Sequence, residues 1–130
     1  MTWDDFTNEE KRAILKSLAC IANADGDVNY SETQYFSMLL IRMNCSKSFA
    51  ADAMSMWMMN MKRVIRNMSQ EKKAIVRDIW LNMMNRSGGG VTFGMTVVSS
   101  NTAEGRMILS LADSCEIDVS GEYNIGTTYW

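Results

Sequence analysis

Five times along this chain a serine, threonine or asparagine stands just before a stretch whose apolar residues recur at helical spacing, and proline is absent throughout. A small polar side chain ahead of an apolar stripe accepts hydrogen bonds from the otherwise unpaired amides of a first helical turn. A chain without proline has little to break the helices so begun. Together these features confine the fold to the all-α class.

Thr7 with Glu10 reads as a capping box, and Ala13, Ile14, Leu18, Ile21 and Ala22 form the stripe behind it. That helix should run to about Ala24, with Gly26 supplying the residue that tolerates a left-handed cap. Ser31 with Gln34 reads as a second box, ahead of Phe36, Leu39, Leu40 and Met43. Ser46 or Ser48 caps a third, shorter helix, and a fourth covers Met58 to Asn67. Ser69 caps a fifth that runs to about Asn85. Asn101 with Glu104 opens a last helix through Met107, Ile108, Leu111 and Cys115. Residues 86 to 101, rich in glycine, serine and β-branched side chains, read as a flexible loop with room for a short strand pair.

The chain also repeats itself. NEEKRAILKSL from Asn8 lines up without a gap on SQEKKAIVRDI from Ser69, so that Glu10 falls on Glu71, Ile14 on Ile75 and Leu18 on Ile79. Further on, Ser31 falls on Asn101, Leu39 on Leu109 and Cys45 on Cys115. The expected architecture is a compact bundle of five to seven helices built from two related helix–loop–helix units. A length of 130 residues suits one such domain, taken as residues 1–118, with an irregular tail over 119–130.

Charge and composition narrow the function. Thirteen basic against fifteen acidic residues give a net charge of −2, which offers no broad basic face to nucleic acid. The longest apolar run is far short of the roughly 20 residues a bilayer span needs. The acidic start, MTWDDFTNEEKR, lacks the basic and apolar regions of a signal peptide, so a cytoplasmic location is expected. Cys20, Cys45 and Cys115 are odd in number and widely spaced, which favours reduced thiols over a disulfide framework. With no histidine, the chain lacks the commonest general base, and no enzymatic activity is expected.

The segment NADGDVNYSE, residues 23 to 32, carries the most chemistry. Asp25 falls at the negative end of the first helix, Asp27 in the loop and Glu32 in the first turn of the next helix. Three hard oxygen ligands at one end of a helical pair suit Ca²⁺ or Mg²⁺. The same residue types serve any tight interhelical turn, and a glutamate near a helix start is favourable without metal. Asp25, Asp27 and Asn29 fit the first three ligand positions of an EF-hand, but Tyr30 stands where its glycine belongs and Phe36 where its last glutamate belongs. The loop is therefore not an EF-hand.

The phrase LACIANADGDVNYSETQYFSMLL resembles the signature of the TerB-like family, named from tellurite resistance, in which an apolar helix ends in an Ala-Asp-Gly loop and a glutamate opens the next helix. The resemblance extends from about Thr7 to Cys115. It implies an internally repeated all-helical fold and a divalent-metal site at Asp25, Asp27 and Glu32. It also implies a non-enzymatic role in stress response through regulated interaction with other proteins. In the second repeat Arg86 stands where Asp25 would fall and glycines replace the second aspartate, so the resemblance leaves only a half-site.

A rival reading rests on methionine. Thirteen are present, six of them between Met54 and Met68. Met54, Met58, Met61 and Ile65 follow one helical face, which suits core packing, while Trp57 with Met58 and Met61 would suit a metal-independent protein-binding surface. The spacings Met56–Met59 and Met58–Met61 also fit a thioether copper(I) pair. Lys62, Arg63 and Arg66, with Lys72 and Lys73, form a small basic patch able to meet an acidic partner. SGGGVTFG, residues 87 to 94, lacks the lysine and hydroxyl residue of a phosphate-binding loop.

Overall fold

The computed structural model describes residues 1–86 and 95–124, the side chains of Met95 and Asn124 excepted. Six α-helices account for most of it: α1 (Asn8–Ala22), α2 (Tyr30–Arg42), α3 (Lys47–Met54), α4 (Met58–Arg66), α5 (Gln70–Met84) and α6 (Ala103–Cys115). A short 3₁₀ turn, Trp3–Asp5, precedes them. The chain is the all-α bundle expected, and no helix among the described residues is long and apolar enough to cross a membrane.

Helix α1 opens as its sequence dictates. Thr7 Oγ1 accepts the Glu10 amide at 3.0 Å and Glu10 Oε1 accepts the Thr7 amide at 2.8 Å. Its apolar stripe is wider than a surface helix needs: Ala13, Ile14, Leu15, Leu18, Ile21 and Ala22 are all buried. The reason is position, since α1 packs against every one of the other five helices and so must be apolar almost all round. Among them lies the buried hydroxyl of Ser17, which donates to Ile14 O at 2.7 Å and accepts the indole N–H of buried Trp80 on α5 at 2.8 Å. The two units are thus joined through α1 instead of stacking as two separate hairpins.

Three caps differ from the sequence reading. Helix α1 stops at Ala22, capped by Asn23, two residues short of Ala24; Gly26 does take a left-handed φ of +82° in the loop beyond. Helix α2 is capped by Asn29 and not by Ser31, because Asn29 and Glu32 close the complete reciprocal box: Asn29 Oδ1 accepts the Glu32 amide at 2.8 Å and Glu32 Oε1 the Asn29 amide at 3.0 Å. Helix α6 is capped by Thr102 and not by Asn101, with Thr102 Oγ1 accepting the Gly105 amide at 3.0 Å. Glu104 does not close a box at all. Ser46 and Ser69 cap α3 and α5 as read, and α4 ends at Arg66.

The strand pair suggested for residues 86 to 101 takes its second strand from the tail. Strand β1 (Met95–Thr96) pairs antiparallel with β2 (Tyr123–Asn124), and Asn85 Nδ2 donates to Thr96 Oγ1 at 3.1 Å to tie β1 to the end of α5. The tail is docked as far as it is described, with the Arg77 guanidinium over the Tyr123 ring at 4.4 Å. Residues 87 to 94, read as a flexible loop, lie outside the described residues.

The segments aligned in sequence form helices of matching length, with burial in a shifted register. Helices α1 and α5 both have 15 residues, and α2 and α6 both have 13. Leu39 is fully buried, but its sequence match Leu109 is exposed; Leu111 is the buried residue. Burial therefore pairs Leu39 with Leu111 and Met43 with Cys115, and the same shift brings Glu104 opposite Glu32.

Candidate acidic site

The α1–α2 loop is built to turn sharply. Asp25 Oδ1 accepts the Asp27 amide at 3.0 Å, an Asx-type turn, and Gly26 between them adopts the backbone conformation a side chain would resist. Asn29 closes the loop twice, capping α2 and donating from Nδ2 to Arg86 O at 2.8 Å beyond the end of α5. Both aspartates stay exposed, while Glu32 turns inward with only 1 % of its surface accessible.

A carboxylate the sequence reading assigned to helix capping joins them. Glu104, in the first turn of α6, is 4 % exposed, and its carboxyl meets that of Asp25. Burial pushes the Glu104 carboxyl above the usual glutamate range; a hydrogen bond from its own backbone amide opposes the shift, its hydrogen bond to Asp25 and that group's charge add to it, and Arg106 opposes it last. Burial likewise raises Glu32; its capping bond to Asn29 opposes the shift, and the charges of Asp25, Glu104 and Asp27 add to it. Glu32 Oε2 and Glu104 Oε1 are both buried without a hydrogen-bond partner. A buried polar atom left this way costs roughly 1–3 kcal/mol. Two at one place, facing two aspartates, mark this end of the bundle as strained.

The structure thus places Asp25, Asp27 and Glu32 in one electrostatic neighbourhood, and the second unit adds the carboxyl of Glu104 to it from α6, not from the loop after α5. Sequence identity alone hides it: the residue match sets Ser31 against Asn101, whereas the burial seen in the structure sets Glu32 against Glu104. As they stand, no three acidic or cysteine side chains among the described residues close around a common point as a metal ion requires.

The second predicted surface is divided by burial. Trp57 is 77 % exposed and Met59 80 %, whereas Met61, expected at the partner surface, is fully buried with Ile65 in the core. The physical reason is the pitch of α4: Met61 and Ile65, four residues apart, take its inward face, and Met59 the opposite one. Met58 lies between, its Sδ accepting the Cys20 thiol at 3.5 Å, so it does not share a free face with Met61 as a copper pair would need. Met56 packs against the core while Met59 points out, which separates the other pair. Lys72 and Lys73 leave the basic patch as well: Lys72 bridges Glu10 at 2.8 Å, and buried Lys73 donates to Glu116 O at 3.4 Å. All three cysteines are free, and burial raises each thiol, Cys115 to about 11.

No family model matches the sequence, and neither a curated protein nor a solved structure matches it.

Proposed function

We propose that this protein is a non-enzymatic helical module, TerB-like in kind, whose acidic end binds a divalent cation and thereby regulates an interaction with another protein in a stress response. The observation that carries the reading is the pair of buried, unpartnered carboxylate oxygens of Glu32 and Glu104, brought from two helices to face Asp25 and Asp27. A cation would replace the Glu104–Asp25 hydrogen bond and draw the carboxylates around one point, with Asp25, Glu32 and Glu104 as the inner set and Asp27 at the rim. Hard carboxylate oxygens select Ca²⁺ or Mg²⁺ over softer metals. Binding would pin the α1–α2 loop to the start of α6. A partner that prefers the pinned state would then read the metal as a signal.

The test is isothermal titration of metal-stripped protein with Ca²⁺, Mg²⁺ and Mn²⁺, beside an Asp25→Asn/Glu104→Gln variant. Saturable heat that the variant loses supports the site. No heat from any of the three, with the protein folded, overturns it. A second reading, a metal-independent interaction module, is favoured by the exposure of Trp57 and Met59 on α4.

A further inference from the structure

Helix α4 is the exception among the six in how it begins. The other five have a Thr, Asn or Ser whose side chain accepts an amide of the first turn, whereas α4 has Trp57 at that position with no side-chain cap. A missing cap leaves first-turn amides without a side-chain acceptor and weakens the helix start. Leaving a tryptophan in solvent recovers none of that stability. A local choice that lowers stability without packing benefit points to a role outside the fold.

The outer face of α4 shows what that role would need. Met59, Lys62, Arg63 and Arg66 line an open groove of about 390 Å³ with Asn60 and, across on α6, Ser114, and exposed Trp57 stands at the N-terminal end of the same helix. None of the three cations is in an ion pair among the described residues. The surface is therefore apolar at one end and uncompensated positive along the rest.

We propose that this groove docks an acidic segment of a partner protein, an apolar side chain of which seats against Trp57 and Met59 while its carboxylates lie along Lys62, Arg63 and Arg66. This rests on the second reading above and names the partner's chemistry. Charge complementarity selects the acidic segment: Arg63 and Arg66 offer planar forks that pair with carboxylates, and the aromatic end provides the anchor on which interface energy concentrates. A membrane surface fits less well, because a concave groove with three cations falls below the roughly four to eight basic residues such adsorption recruits. A nucleic acid would face a chain of net charge −2 with no wider basic surface.

The experiment is selection from a random peptide library on the immobilised full chain, with Trp57→Ala and Arg63→Glu/Arg66→Glu variants as counter-selections. Circular dichroism of both variants would first establish that they fold, which exposed positions permit. The expected result is enrichment of peptides carrying aspartate or glutamate beside an apolar anchor. Their affinity should fall at least tenfold in each variant and weaken as salt is raised. Enriched peptides that need Trp57 but are neutral or basic would overturn the acidic partner and leave the α4 surface standing. Peptides indifferent to both variants would overturn the surface as well. Binding of phosphatidylglycerol vesicles or duplex DNA, lost in Arg63→Glu/Arg66→Glu and tighter than any peptide, would overturn a protein partner.

Discussion

Replacing Glu104 by glutamine removes a charge from the acidic end while keeping the side chain's shape, and its two effects should have opposite signs. In metal-free protein Glu104 Oε1 is buried without a partner, and the Glu104 carboxyl meets that of Asp25. A glutamine amide there donates to the Asp25 carboxylate and ends the repulsion, a gain on the order of 1 kcal/mol once the net value of one hydrogen bond is used. For a chain of this size that raises Tm by about 4 °C. With Ca²⁺ present the order reverses. On the proposed site, a free concentration of roughly 100 times Kd would give the wild type about 2.7 kcal/mol, or about 10 °C, while the variant would lack a proposed inner ligand. Scanning calorimetry in EDTA and then in Ca²⁺ reads both numbers. A variant less stable than wild type in EDTA, or one that keeps the full Ca²⁺ shift, would refute the reasoning.

The same residues set a pH dependence. Burial holds the Glu32 and Glu104 carboxyls above the ordinary glutamate value of 4.5, so the folded protein binds their protons more tightly than the unfolded chain does. Their contribution to stability is full below 4.5 and is lost as pH rises through the folded values. Metal-free wild type should therefore lose stability on going from pH 5 to pH 7 by more than Glu104→Gln does.

Two further substitutions test the frame that holds the site. Ser17→Ala removes the acceptor of the Trp80 indole N–H between α1 and α5, leaving a buried donor unpaired; a loss of about 1–3 kcal/mol is expected. The denaturant midpoint should fall with an unchanged slope, and a loss below about 0.5 kcal/mol would mean the bond is dispensable. Gly105→Ala sits in the first turn of α6, where alanine would ordinarily stabilise a helix by about 1 kcal/mol. Here its Cβ would run into the Ser99 carbonyl oxygen, a backbone atom, and against Thr102 Oγ1. The expected sign is thus destabilising, by about 1–3 kcal/mol, and a more stable variant in thermal melts would show that the 97–99 segment yields freely.

The helices were legible because each is specified locally. A cap and an apolar stripe within a dozen residues are enough to place α1, α3 and α5 to within two residues, and the apolar spacing alone places α4. The acidic site was legible only on one side. Asp25, Asp27 and Glu32 are neighbours in sequence, but Glu104 comes from 72 positions beyond Glu32, and its role depends on which way the first turn of α6 faces. Asn101 and Glu104 imitate a capping box, yet Thr102 takes the cap and frees Glu104 to turn inward. The same limit explains Met61. Helical spacing groups it with Met58, but only packing against α1 and α6 decides which methionine of α4 is covered.

Helix α6 gives the two surfaces a means of acting on one another. Glu104 lies in its first turn at the acidic end, and Ser114, near its last turn, lines the basic groove, about 15 Å away along the helix axis. Helix α6 packs directly on α4, so a cation that fixes the start of α6 against the α1–α2 loop also sets the groove's far wall. If the two sites are coupled in this way, linkage requires the coupling to be reciprocal: the factor by which Ca²⁺ changes affinity for an acidic peptide must equal the factor by which that peptide changes affinity for Ca²⁺. Because α1 and α5 also hold α6, the factor should fall near the low end of the usual range, at about fivefold. Paired titrations, each with the other ligand absent and then saturating, measure it. A factor of one in both directions would leave the acidic end and the groove as independent sites on one scaffold, and the cation would then stabilise the fold without acting as a signal.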